Sequence, residues 1–276
     1  MADYRIGFKW WALIIAVVFV ISELVCVACV PERPVACDEK PGKISDMFKA
    51  LFKNDQAMTV VVSIILVYTS LNICGNLVLY FFRFDVGNEG AYSIFAAVAF
   101  AAQVLVMMVI PLLRKRFSKS QLFISGFIIQ IAGFAVILIM AFAKLYTPQS
   151  WYILCLPGIL IYLGYGMLNV IMTIFLSDSV DYGEVMNGTR EESVIFSMQT
   201  FTVKLASGVA VFLAGLVVDW IHLDTAAAVQ TQDTLDALRM WMTIPSVILL
   251  IVGIFVFKRF YKLDDARMEE IKSKLN

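Results

Sequence analysis

The chain has 276 residues, of which 61% are hydrophobic and only 16% charged, with a mean hydropathy of +0.83 and a formal net charge of +0. A water-soluble domain of this size carries about a quarter charged residues, so much of this surface is built to face lipid. The charge balance offers no case for nucleic acid or an acidic partner.

Five cysteines, Cys26, Cys29, Cys37, Cys74 and Cys155, lie mostly in or beside apolar stretches, where a thiol packs as a small hydrophobe. Cys26-x-x-Cys29 has no second pair and no nearby histidine, so it reads as packing rather than as redox or metal chemistry. No catalytic pattern, metal-ligand set or resident cofactor is expected, and the chain is not expected to be an enzyme.

A helix needs about 20 mainly apolar residues to cross a membrane. Seven stretches qualify, over about 8–30, 57–82, 91–113, 122–144, 152–176, 194–221 and 240–260. Backbone groups must pair internally in lipid, so these are helices, and none shows the alternation of a barrel strand. The first is too long for a signal peptide and lacks a small-residue cleavage site.

Lysine and arginine orient the spans. Sixteen of the 22 fall on one side: in the loops between spans one and two, three and four, five and six, and in the tail. Five fall on the other, and Lys204 lies inside span six. The C-terminus is therefore expected in the cytoplasm and the N-terminus outside. An outside start with Arg5 and Lys9 and no leader suggests that something upstream is missing. The loop between the first two spans is the longest. Ile44, Met47, Phe48, Leu51 and Phe52 recur there at helical spacing, which suits an amphipathic helix at the interface. Residues 1–30 thus form a lone transmembrane helix, 31–56 a cytoplasmic connector with that amphipathic helix, 57–262 a six-helix bundle and 263–276 a cytoplasmic tail.

Lys204 stands about ten residues, or about 15 Å, into span six, near mid-membrane. A lysine there costs at least about 2.5–3.5 kcal/mol and usually faces a cavity or a partner. Thr200 and Ser207 share its face and Gln199 lies beside it, a lining suited to a hydrophilic ligand. The competing reading is a structural ion pair, but no carboxylate at mid-depth in spans two to seven is an obvious partner. Ala206, Ala210 and Ala214 read as a close-packing seam. Asn72 and Asn76 on span two, and Tyr162, Tyr165 and Asn169 on span five, are open to two readings: contacts to a polar solute, or hydrogen bonds between helices. Gly164-x-Gly166 is a packing point, since no strand precedes it. His222, the single histidine, reads as a surface residue.

The loop between spans five and six reads Ser177-Asp178-Ser179-Val180-Asp181-Tyr182-Gly183-Glu184, then Asn187-Gly188-Thr189-Arg190-Glu191-Glu192-Ser193. Acids with one arginine at the mouth of a path suit a gate whose ion pairs form in one state and break in the other. Asp178-x-x-Asp181-Tyr182-Gly183-Glu184, Arg190-x-Glu192-Ser193, Ser197-x-Gln199-Thr200 and Lys204 together resemble the signature of the glycoside–pentoside–hexuronide:cation symporter family of the major facilitator superfamily. Lys53-Asn54-Asp55-Gln56 and the Arg259-Phe260-Tyr261-Lys262-Leu263 stretch are similar too, so the resemblance spans essentially the whole chain.

That resemblance implies an all-α membrane protein of seven transmembrane helices: a lone helix, the family's sixth, plus the C-terminal six-helix half of a major facilitator fold. It implies cation-coupled symport of a sugar or glycoside by alternating access. Lys204, Thr200, Gln199, Asn169, Tyr165, Asn72 and Asn76 would serve substrate or coupling, and Asp178, Asp181, Glu184, Arg190 and Glu192 the cytoplasmic gate. The cation, Na+, H+ or Li+, would take its ligands mostly from an N-terminal half, missing here or separately encoded. The expected setting is the bilayer of a bacterial inner membrane. Melibiose permease, the family's best-known member, carries a tryptophan at the position aligned with Asn169, so stacking on a sugar at that point is in doubt. A transport-inactive remnant or structural subunit is the alternative. A seven-helix receptor lacks its Asp-Arg-Tyr and Asn-Pro-x-x-Tyr patterns here.

Overall fold

The computed structural model describes residues 2–29, 52–188, 190, 192–227 and 229–275. Residues 31–51 of the connector expected over 31–56, and with them nearly all of its amphipathic helix, lie outside the described residues. The chain divides into two compact units, residues 1–42 and 43–276. In the first, helix α1 spans Ala2–Cys29.

The second unit contains α2 (Asp55–Tyr80), α3 (Ala91–Leu113), α4 (Lys119–Phe142), α5 (Cys155–Asn187), α6 (Glu192–Trp220), α7 (Gln232–Phe260) and α8 (Asp265–Leu275). Including α1, seven helices are long and apolar enough to cross a membrane, and no strand occurs among the described residues. The protein is thus an all-α integral membrane protein. Local chemistry sets the ends. Asn54 caps α2 by accepting from the Ala57 amide, Ser118 and Gln121 form a reciprocal capping box on α4, and Thr231 caps α7. Gly188, at φ +72°, closes α5 in the left-handed region that glycine tolerates.

Two helices run further than the apolar signal suggests. Span five was expected to end near 176, yet α5 continues to Asn187, so the acidic segment up to Glu184 is helix, not loop. Span seven was expected from about 240, yet α7 begins at Gln232 and takes Arg239 into the helix. Polar residues end a hydropathic window without ending a helix once the chain leaves the lipid.

Helices α2 and α5 are central. α5 packs on α3 and α4, α2 on α6 and α7, and α4 on α7. Close approach, not apolar transfer, holds such helices together, because lipid tails are as apolar as leucine. The expected packing point at Gly164 is one such approach. A Cβ there would lie 2.5 Å from the Gly126 carbonyl oxygen and 2.6 Å from the Gln130 amide nitrogen on α4. The alanine seam behaves as expected too: Ala206, Ala210 and Ala214 are buried, and α6 lies along α2. An aromatic cluster of Phe123, Phe175, Phe257 and Tyr261 fills the end of the bundle nearest α8, with ring centroids 4.4–5.2 Å apart. Leu263, Met268 and Ile271 seat the tail helix α8 against Tyr182 and Tyr261.

Replacing Gly164 with valine should destabilise the bundle by about 1–3 kcal/mol, because backbone atoms on α4 cannot yield to the new side chain. Gly75→Ala is the control: its Cβ would meet nothing within 4 Å, and alanine favours a helix over glycine by about 1 kcal/mol. Melting curves of the two purified variants in detergent should move in opposite directions.

Candidate functional site

The predicted substrate residues lie on three helices, α2, α5 and α6. On α2, Tyr68, Asn72 and Asn76 recur every fourth residue. Asn72 donates to the Tyr68 carbonyl and Asn76 to the Asn72 carbonyl, both at 2.7 Å, so these amides back-bond within α2 and do not join helices. Their side-chain oxygens stay available as acceptors. On α5, Asn169 donates to the Tyr68 hydroxyl at 2.5 Å, which crosses between helices. The Tyr165 ring meets Tyr68 edge-on at 5.5 Å and Tyr162 at 6.5 Å. One turn on, Thr173 bonds the Asn169 carbonyl and accepts from Gln199 of α6 at 3.4 Å. Lys204 is exposed on α6, Ser207 is half-buried, and Thr200 is exposed with its hydroxyl turned to the Phe196 carbonyl. No ion pair among the described residues involves Lys204.

The acids expected at the gate divide. Arg190 gathers Asp181, Glu184 and Glu192 at 3.1, 2.8 and 3.2 Å in an exposed cluster. Bonds to Glu184 first, then Glu192, hold its guanidinium above its ordinary pKa. Each such exposed pair is worth about 0–1 kcal/mol, so the cluster can break cheaply. Asp178 is not among these partners. It is buried, facing α4, where Lys119 contacts it at 2.5 Å. Asp265 of α8 completes that second network, reaching Lys119 and Arg114 at 3.4 Å each.

Other motif residues fasten the same end. Asn54 donates to the Ser179 carbonyl, and a Cβ at Gly183 would lie 2.8 Å from the Asn54 amide nitrogen. Gln56 accepts from the Lys262 amide. Glycine at 183 is therefore what lets α2 start beside α5.

Sequence reasoning missed the ion pair at the far end of the bundle. The last turn of α2 widens into a π-turn over Phe81–Asp85, which re-aims its side chains. Asp85 receives both Nε and Nη2 of Arg239, at 2.8 and 2.6 Å, and the Tyr146 hydroxyl at 2.6 Å. Both side chains of the pair are only 3% exposed. Burial, then the carboxylate, pushes the Tyr146 phenol far above its usual range, so it remains a donor. An arginine inside a span was the available signal. The apolar run itself starts just after it, at Met240, which hides the arginine. His222 is exposed, as expected. Among the described residues, no group of three or more His, Cys, Asp or Glu converges to hold a metal.

The bundle thus carries amides and phenols in contact across α2 and α5 and one exposed ammonium on α6. The family model described as MFS/sugar transport protein matches residues 3–265, and the chain belongs to that family. Its relatives include an uncharacterised symporter of Bacillus subtilis (strain 168), 25% identical over 91% of this chain and 54% of the relative. An isoprimeverose transporter of Lactiplantibacillus pentosus is 25% identical over 94% of this chain and 52% of its own length. The raffinose carrier protein of Pediococcus pentosaceus is 23% identical over 84% and 35%. The chain therefore spans about half the length, or less, of these curated relatives.

Breaking the buried Asp85–Arg239 pair from one side should cost about 3–5 kcal/mol, since it strands a buried charge. Asp85→Asn and Arg239→Met should each lower the melting temperature sharply, and the Asp85→Leu/Arg239→Met double variant should recover much of the loss. Thermal unfolding of the purified chain in detergent checks this. Single variants that melt like the parent would show the pair to be dispensable.

Proposed function

We propose that this chain forms the C-terminal portion of a secondary active transporter that carries a sugar or glycoside together with Na+, H+ or Li+ by alternating access. The observation that carries this reading is Lys204: an exposed ammonium deep in α6, without an ion-pair partner among the described residues, on the helix whose Gln199 reaches Thr173 of α5, one turn from the Asn169–Tyr68 contact. Amide and hydroxyl groups can match the hydroxyls of a sugar, and the tyrosine edges can meet its C–H faces. The ammonium can donate to a hydroxyl, and it can also repel or release a cation bound nearby, which is one physical route to coupling. The relatives named for raffinose and isoprimeverose support a sugar as the solute.

An N-terminal half, missing or separately encoded, supplies most of the cation ligands in this reading. The excess of positive charge supports a cytoplasmic location for the tail and Arg190, and the bacterial relatives support an inner membrane as the host bilayer. The Arg190 cluster then acts as the cytoplasmic gate: weak exposed pairs that open and re-form. The Lys119–Asp178 pair, buried within the half, moves with it as part of a rigid body.

Five further spans encoded upstream or in an adjacent gene would complete the transporter. Produced with that half, the chain should drive accumulation of radiolabelled glycosides under a Na+ or H+ gradient. Lys204→Ala should reduce uptake at least tenfold. If Lys204→Ala leaves sugar affinity and cation dependence intact, the site assignment is wrong.

A further inference from the structure

The face of α6 that carries Lys204 continues to the far end of the helix. Gly208, Val211, Gly215 and Asp219 follow at helical spacing. Asp219 lies fifteen residues beyond Lys204, about 22 Å along the axis. Ideal Cβ atoms at Gly208 and Gly215 would each meet nothing within 4 Å, so this stretch is a shelf of open backbone. A cavity lies between the shelf and α2, lined by Asn76, Tyr80, Val211, Phe212, Gly215 and Asp219.

Its chemistry is that of a polyol site. The Asp219 carboxylate and the Tyr80 hydroxyl have no side-chain hydrogen bond among the described residues, and Asn76 has spent only one N–H, on the Asn72 carbonyl. A carboxylate accepts from two vicinal hydroxyls, an amide oxygen accepts from a third, and a phenol ring offers a flat apolar edge. The groove on the other flank of α6 has the opposite character. There Ile73, Leu213, Trp241, Ile244 and Ile248 present an apolar lining suited to lipid tails. The Asn76–Asp219 cavity, though Val211, Phe212 and Leu216 also line it, is the more polar of the two. Trp220 and Trp241 pair at 5.8 Å beside Asp219, at the depth where such rings mark the membrane–water boundary. The cavity therefore opens at the boundary opposite the tail, which the charge count makes the outer one.

We infer that Asn76, Tyr80, Gly215 and Asp219 form an outer subsite that binds sugar hydroxyls before the solute reaches Lys204. The inference rests on the sugar-transport reading above and adds to it a second binding station on the same helix face.

The test uses the complete transporter in intact cells, with its native cysteines replaced and Gly215→Cys introduced. A membrane-impermeant maleimide should label Cys at 215 from outside, and millimolar raffinose or isoprimeverose, whichever the cells take up, should slow labelling at least threefold. Asp219→Asn should abolish that protection, the effect of sugar being read against the same variant's own labelling rate without sugar. Failure of the reagent to reach position 215 overturns the subsite. So does labelling that sugar does not slow in cells that still accumulate it, and there the transport reading survives. Protection by Na+ or Li+ alone would make the cavity a cation site and refute the sugar assignment. Absence of both uptake and protection would overturn both readings.

Discussion

Apolar packing cannot by itself hold six helices together in a solvent that is itself apolar. Transfer of leucine from lipid to a protein interior gains little, so the bundle depends on close fit and on polar contacts whose alternative is an unpaired group in hydrocarbon. Both devices are present, and they sit at different depths. Mid-bundle, Gly164 of α5 lies against the Gly126 carbonyl and Gln130 of α4. At the two ends, buried ion pairs take over: Lys119 with Asp178 near the tail, and Arg239 with Asp85 at the far end. Charges near the ends of helices cost less than charges at mid-depth, and each pair joins segments distant in sequence.

With cohesion placed there, the middle of α2, α5 and α6 is joined lightly, by the Asn169–Tyr68 and Gln199–Thr173 bonds. Asn72 and Asn76 bond only within their own helix, and Lys204 has no ion-pair partner among the described residues. A bundle under pressure to satisfy every polar group internally would not leave an ammonium and several amide oxygens without partners at mid-membrane. Solvation by water, by a solute or by another part of a transporter resolves the imbalance. These free polar groups thus follow from how the rest of the bundle is stapled.

Much of this was legible in the sequence. The seven apolar runs, the third with the bounds found in the structure, determine the helix count, and Ala206, Ala210 and Ala214 at fourfold spacing announce the seam on α6. Lys204 stands out because nothing near it in sequence is charged. What could not be read has a common cause. Hydropathy reports where lipid ends, not where a helix ends, so the last turns of α5 and the first turns of α7 were taken for loop. Arg239 was lost with those turns. Its partner Asp85 lies 154 residues away, on a π-turn that no periodicity betrays. Long-range pairing is a property of the fold, and one sequence without its relatives carries no trace of it.

The acidic motif shows how helical phase separates tasks that look alike in sequence. Read as a loop, Asp178, Asp181 and Glu184 are equivalent acids available to one arginine. Read as the end of α5, they are not. Asp181 and Glu184 are three apart, lie on one side, and both reach Arg190. Asp178 is a further turn down, where the helix is enclosed by α4, and there it meets Lys119 instead. Gly183 points to the side where Asn54 passes, leaving no room for a side chain. Three functions therefore interleave in the seven residues from Asp178 to Glu184: a buried staple, an exposed cluster that can open, and a gap that admits the start of α2. The exposed pairs are individually weak and the buried one is not, so motion at this end should open the Arg190 cluster before it disturbs the staple. That ordering is what a gate mounted on a rigid half requires.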